Sequence, residues 1–310
     1  MSAYCDPGYT LAPMPAPIAL LTLSSSPLGE SLLSHLGSRG RVLSLDAPFH
    51  GGAVTIREGW VSWGGLNLVD AGAILVERPE IAWPQPLYLD GLPEDPAAQP
   101  AFFAAEREVR SLILSALTAA SEYRPVVNHP RAAHQAASPA TALDLAAHAG
   151  VPVHPWRLAP RPPTDLASTM VLDSVGRDRW HDPASPREGE PALLLEELHG
   201  PVEVMLILGG RVAARLRHEN PSGWAEDAFR APAPAGPPDA PAADIARRAA
   251  AAAGLEFAAV SVAAASDGPR LLYLDAAPDL VAWSRADASV LPALAGRLLE
   301  LASQPSEGTS

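Results

Sequence analysis

PVVNHPRAAHQAASPATALDLAAHAGVPVHPW (Pro125–Trp156) decides how this chain is read. PVVN is a short strand that ends in a turn. Ser138 is placed to cap a helix, with Pro139 in its first turn, where a missing N–H costs nothing. Gly150 marks the exit of that helix, and VPVHP leads into another strand. The layout is loop, helix and strand entry. The stretch holds no lysine, and neither does the rest of the 310-residue chain, whose 22 basic residues are all arginine. A Schiff base, a lysine general base and a lysine phosphate contact are therefore excluded.

Towards the N-terminus, IALLTL (Ile18–Leu23) is a continuous apolar run suited to a buried parallel strand. The next segment, SSSPLGESLLSHLGSRG, reads as a helix with Ser26 as cap, Pro27 in the first turn and Gly37 or Gly40 at the end. RVLSLD (Arg41–Asp46) follows as a strand, and this β-α-β opening predicts an open parallel sheet. VTIRE and WVSWG alternate around Gly59 and predict a hairpin added to that sheet. AILVERP (Ala73–Pro79) is a further apolar strand. Phe102–Ser121 has helical spacing at Val109, Leu112, Ile113, Ala116 and Leu117.

Beyond the opening stretch, Pro155–Pro191 is irregular and Pro-rich, with one strand at Ser168–Leu172. LLLEEL (Leu193–Leu198) precedes VEVMLILGGRVAARLRH, where Gly209–Gly210 between two apolar runs signals a hairpin. Asp239–Gly254 is an Ala-rich helix with Gly254 just past its end. LEFAAVSVA and RLLYLDA are two more strands, and Ala286–Ser303 a closing helix. The expected units are a loose segment (1–16), an N-terminal α/β domain (17–124), a short central lobe (125–192), a C-terminal lobe (193–303) and a tail (304–310).

The formal charge of −13 argues against a nucleic-acid groove or an anionic membrane surface as partner. Cys5 is the single cysteine, which excludes an intramolecular disulfide and disfavours a cysteine zinc site. The apolar run Pro17–Leu23 is too short for a signal core or a membrane span, so a cytoplasmic location is expected.

Motif chemistry is sparse. There is no GxxxxGK[ST], no strand-borne GxGxxG, no GxSxG elbow and no HExxH. His129 and His134 are five apart and do not share a helix face, and no metal site is expected among the histidines. WHD (Trp180–Asp182) and HEN (His218–Asn220) read as loop clusters that cap turns, with HEN placed just after a strand.

Four passages in order resemble the ATP-grasp superfamily, in particular its RimK-type and graspetide-type carboxylate–amine ligases. They are AILVERP, the opening stretch, LLLEEL with its hairpin, and AAAAAGLEFAAVSVAAASDGPRLLYLDAAPDL. The resemblance implies an α/β, ATP-grasp-like fold: an N-terminal open parallel-type domain, then a central lobe and a C-terminal α+β lobe. It implies ATP held between the two later lobes, with Glu196, Glu197 and Leu198 as the hinge that meets adenine through backbone groups. Asp275 is the one residue in a metal-ligand position.

The departures are equally specific. Pro139 stands where the family has a phosphate-binding lysine. The STMVL strand lacks the second lysine, and DSVGRDRWHD, the loop near it, has a single glycine. Ser261 and Tyr273 stand where acidic metal ligands belong, and Val202 and Val204 where an Asp and an Arg belong. Phosphoryl transfer is positioning and charge stabilisation, and losing one such contact costs about 10²–10³ in rate.

The leading expectation is a degenerate member, a pseudoenzyme that binds a peptide, protein or small molecule and needs no cofactor. An active homologue is a candidate partner and a homodimer is allowed. Arg217, Asn220, Arg177 and Arg179 are its ligand-loop candidates. The alternative is an active ligase using ATP and Mg²⁺. There Arg131, Arg161, Arg177 or Arg179 replaces lysine, and Asp275, Glu196, Glu197 or Glu219 builds the metal site. A third reading is an unrelated α/β protein with its pocket near HEN or WHD.

Overall fold

The computed structural model describes residues 15–82, 93–159, 169–173, 180–181, 192–196, 198, 200–219, 233–234 and 239–304. The chain begins with β1 (Ile18–Thr22), α1 (Leu28–Leu36) and β2 (Gly40–Ser44), as the apolar runs and glycine stops dictate. A hairpin segment follows, with β3 (Val54–Arg57), β4 (Trp60–Trp63) and β5 (Leu66–Asn67). Next come β6 (Ala73–Val76), α2 (Gln99–Ser121) and β7 (Val126–Val127). Strands β1, β2, β6 and β7 form one parallel sheet in the order β2-β1-β6-β7.

The period of two divides each apolar run between two cores. Ile18, Leu20, Ala73, Leu75 and Val127 enter one cluster with α1, while Ala19, Leu21, Ile74, Val76 and Val126 enter another with α2. Strands β1 and β6 are therefore buried on both faces, which is why they do not alternate with polar residues.

The hairpin around Gly59 forms with that glycine at φ 66°, but β3, β4 and β5 make a separate antiparallel sheet instead of extending the parallel one. Trp63 explains the separation. Its side chain is buried in the α2-side core, and its Nε1–H donates to Ser44 O at 2.9 Å. That contact ties β4 to the end of β2 through a side chain, not through a backbone ladder. Ser26 also departs from expectation. Its hydroxyl accepts from Leu28 N–H at 3.2 Å and donates to the buried Glu77 carboxylate, and Pro27 is the capping position.

The opening stretch carries α3 (Pro130–Ala136) and α4 (Pro139–His148). Ser138 caps α4 by accepting from Thr141 N–H, and Gly150 follows it at φ 73°. A central antiparallel sheet, ordered β10-β9-β11-β8, contains β8 (Trp156–Ala159), β9 (Thr169–Asp173), β10 (Trp180–His181) and β11 (Ala192–Glu196). Trp180 and His181 of WHD thus lie on a strand and not in a loop.

The last unit has β12 (Val202–Leu208), β13 (Arg211–His218), β14 (Ala233–Pro234), α5 (Ala240–Ala252), β15 (Phe257–Ala265) and β16 (Gly268–Asp275), then α6 (Leu280–Ala286) and α7 (Val290–Ser303). Its sheet is antiparallel and ordered β14-β13-β12-β15-β16. Gly209 and Gly210 turn the β12–β13 hairpin at φ 55° and 72°.

Asn128 joins the first unit to the last. It is fully buried at the end of β7. Its Oδ1 accepts from Phe257 N–H at 2.8 Å, and its Nδ2 donates to Phe257 O and, at 3.1 Å, to Ala276 O. Next to it, His129 caps α3. Its Nδ1 accepts from Arg131 N–H at 3.1 Å, so Nε2 carries the proton and meets Ser121 Oγ at 2.8 Å. Burial, and then the nearby Arg131 guanidinium, hold this histidine below its usual range.

Two outcomes follow from this joint. Asn128→Ala leaves buried backbone groups unpaired at about 1–3 kcal/mol each, so a loss of roughly 3 kcal/mol or more is expected in urea unfolding. His129 favours its neutral form when folded, so the unfolded chain binds the proton first. Its contribution is complete above the ordinary histidine pKa and is lost as pH falls below it. The urea midpoint should drop between pH 7.5 and 5, and His129→Asn, which keeps a capping acceptor, should reduce that drop.

Candidate functional site

Residues paired across an antiparallel ladder share a face. The register of the C-terminal sheet therefore defines rows. Leu216, Val204, Ser261 and Tyr273 form one row across β13, β12, β15 and β16. His218, Val202, Ala263 and Arg270 form the row on one side of it, and Ala214, Leu206, Ala259 and Asp275 the row on the other. Val202, Val204, Leu206, Ser261 and Ala263 are buried, and Tyr273 and Asp275 half-buried. This face presents valine, leucine and alanine at its centre, with Ser261 on β15, His218 on β13 and Arg270, Tyr273 and Asp275 on β16 as its polar groups.

Asp275 sits at the end of β16 and uses Oδ1 to accept from Ala277 N–H at 2.9 Å. Arg270, at the other end of β16, donates through Nε to Asp267 at 3.2 Å and holds that carboxyl below the usual range. Its Nη1 reaches Val153 O at 3.5 Å, and Glu196 lies within its electrostatic reach. Arg270 was not singled out from the sequence, because its face depends on the register shift between Ser261 and Val262.

Glu203, Arg215 and Arg217 occupy the opposite face. Arg215 Nε donates to the buried Glu203 carboxylate at 3.1 Å, with a second contact from Nη2, and Arg217 Nη1 lies 3.7 Å from it. Arg217 also donates to Glu219 at 2.7 Å. The register thus puts Arg217 across the sheet from Tyr273 and Asp275. Glu219 answers to Arg217, and among the described residues no group of three or more His, Cys, Asp or Glu is placed to hold a metal ion.

Glu196 and Leu198, expected from the resemblance to form a hinge, lie where β11 ends. Glu196 has an exposed side chain, its N–H donates to Pro155 O at 3.3 Å, and its carbonyl meets His154 Nε2 at 3.0 Å. Leu198 is buried. Arg131 begins α3, and Pro139 is buried in the first turn of α4. Glu197, Arg161, Arg177, Arg179 and Asn220 fall outside the described residues.

No family model and no curated protein matches this chain. Solved structures do. The ATP-grasp ligase PsnB, complexed with a phosphomimetic variant of minimal precursor, Mg and ADP, is 20% identical. It has a TM-score of 0.74, over 93% of this chain and 99% of that one. A Chryseobacterium gregarium RiPP-associated ATP-grasp ligase, in complex with ADP and a leader and core peptide, gives 0.68 at 10% identity over 94% and 98%. The macrocyclase MdnC from Microcystis aeruginosa MRC, bound with precursor peptide MdnA, gives 0.63 at 12% over 91% and 99%. This chain has the ATP-grasp fold.

The fold expected from the four passages is therefore present, while the side chains on its C-terminal sheet are those of this sequence alone. No helix among the described residues is long and apolar enough to cross a membrane. Because Glu203 is buried against Arg215, Glu203→Ala strands a buried guanidinium. Removing one partner of such a pair costs about 3–5 kcal/mol, and thermal or urea unfolding should register that loss.

Proposed function

We propose that this protein uses the ATP-grasp fold to recognise a peptide between its central and C-terminal sheets, without ATP-dependent ligation. The observation that carries this reading is the row Leu216–Val204–Ser261–Tyr273, flanked by Val202 and Leu206. Mg²⁺ is held by carboxylates together with phosphate oxygens, and transferred phosphoryl groups are clamped by cations. A valine–serine–tyrosine row supplies neither, and Pro139 supplies no cation to the other side. The described residues do not fit ATP·Mg²⁺.

A peptide is favoured as ligand because three proteins of this fold have been solved with peptides bound. The formal charge of −13 favours a segment that is not acidic. A supporting role beside an active ATP-grasp homologue, in the cytoplasm, is consistent with these properties. So is assembly as a homodimer.

One observation favours an active ligase. Arg270 lies on the same face as Tyr273, and a guanidinium fork suits phosphate. Against it, Arg270 is engaged by Asp267, and Asp275, Glu196 and Glu219 form no metal cluster among the described residues. Calorimetry with ATP and Mg²⁺ decides between the two. No nucleotide binding is expected; micromolar, Mg²⁺-dependent binding that Arg270→Ala abolishes would establish the ligase reading instead.

A further inference from the structure

β11 runs antiparallel to β8 with Leu195 opposite Trp156, so the next pair along the ladder is Glu196 opposite Pro155. In a hydrogen-bonded pair of this kind each residue gives its N–H to the other's carbonyl. Half of the exchange is made, since Glu196 N–H donates to Pro155 O at 3.3 Å. The other half is impossible, because proline has no N–H. Glu196 O therefore lacks its ladder donor, at a position where the resemblance places adenine.

His154 supplies the donor from a side chain. Its backbone is fixed to the C-terminal sheet: Pro152 O accepts from Leu271 N–H at 2.8 Å, and His154 N–H donates to Leu271 O at 2.7 Å. Its ring goes the other way, with Nε2 3.0 Å from Glu196 O. A carbonyl oxygen has no proton to give, so Nε2 carries the hydrogen and donates. His154 is 7% exposed, and its buried Nδ1 has no hydrogen-bond partner. The polar anchor of the ring is Glu196 O. A ring-borne N–H on this carbonyl is the contact that the N6 amino group of adenine, itself a donor, would make.

We propose that His154 is a built-in occupant of the hinge. Its ring takes the carbonyl that the resemblance gives to adenine and closes this position to purines. Pro155 removes the backbone donor, and the residue before it restores one from within the chain. The consequence goes beyond the missing phosphate and metal contacts, whose loss alone would still let a nucleoside bind. It rests on the placement of the hinge and not on the peptide reading.

Chemical rescue tests this on the full chain at pH 8, where an imidazole is neutral. His154→Gly empties the ring position and should lower the thermal midpoint. Imidazole at about 10 mM should restore part of that loss by mass action, and a variant that folds only when imidazole is present gives the same support. The analogue 1-methylimidazole is a ring without an N–H and should not restore it. Wild type and His154→Gln, which keeps an N–H donor, should respond to neither compound. Adenosine without Mg²⁺ should show no binding to the wild type by calorimetry. Equal rescue by the two rings, rescue by neither, or adenosine binding to the wild type would overturn the proposal. Adenosine carries no phosphate, so that last result would leave the ATP·Mg²⁺ and peptide readings to their own test.

Discussion

The side-chain amide of Asn128 is the contact on which the arrangement of this protein depends. It is an amide used as if it were a piece of backbone, giving and taking hydrogen bonds with Phe257 and adding a third to Ala276. Phe257 begins β15, and Ala276 follows β16. The end of the parallel sheet is thereby clamped to the two strands that form one side of the C-terminal sheet. An apolar side chain would leave Phe257 N–H and two carbonyls unpaired in a core, and an acid would set oxygen against oxygen. Only an amide satisfies both polarities.

From that clamp the chain runs without slack to the other sheets. His129 caps α3, Ser138 caps α4, and Arg248 from α5 reaches the carbonyls of Ala149 and Gly150 at the end of α4. A cation at a helix C-terminus is favoured by the orphan carbonyls there. The next five residues bridge β16 and enter β8. The stretch thus locates three sheets relative to one another within about thirty residues. Its retention needs no phosphate chemistry, which is why Pro139 can occupy the first turn of α4 at no structural cost.

Much of this fold was legible from local signals. The paired glycines at 209–210, the Ser138–Pro139 helix start and the apolar parallel strands each have a physical signature a few residues long. Helix α3 was not legible, because its cap is an imidazole and its seven residues are too few for periodicity. Helix α6 did carry a signal, an Asp279 cap, that the spacing of the following apolar residues obscured. The site was less legible than the fold. Val202, Val204, Ser261 and Tyr273 could be singled out by their place in the passages, but their alignment in one sheet face is a matter of register. Arg270 and His154 had no motif at all. The partner of His154 lies on another strand, Glu196 being 42 residues from it, and the face of Arg270 is set by a shift in register.

The arginines show how a chain without lysine fixes its joints. Arg215 is paired with Glu203 inside a sheet face, and Arg297 with Glu256 beneath the β12–β13 turn. Arg110 reaches Ile81 O and stacks 5.4 Å from the Phe49 ring, and Arg248 closes a helix end. Each position uses what distinguishes guanidinium from ammonium: several donors in a fixed plane, weak hydration and an affinity for aromatic faces. Such groups serve as structural joints because they are fixed, and a fixed, occupied cation is unavailable to a migrating phosphate. A chain with arginine as its only strong base can therefore hold its joints with guanidinium groups alone.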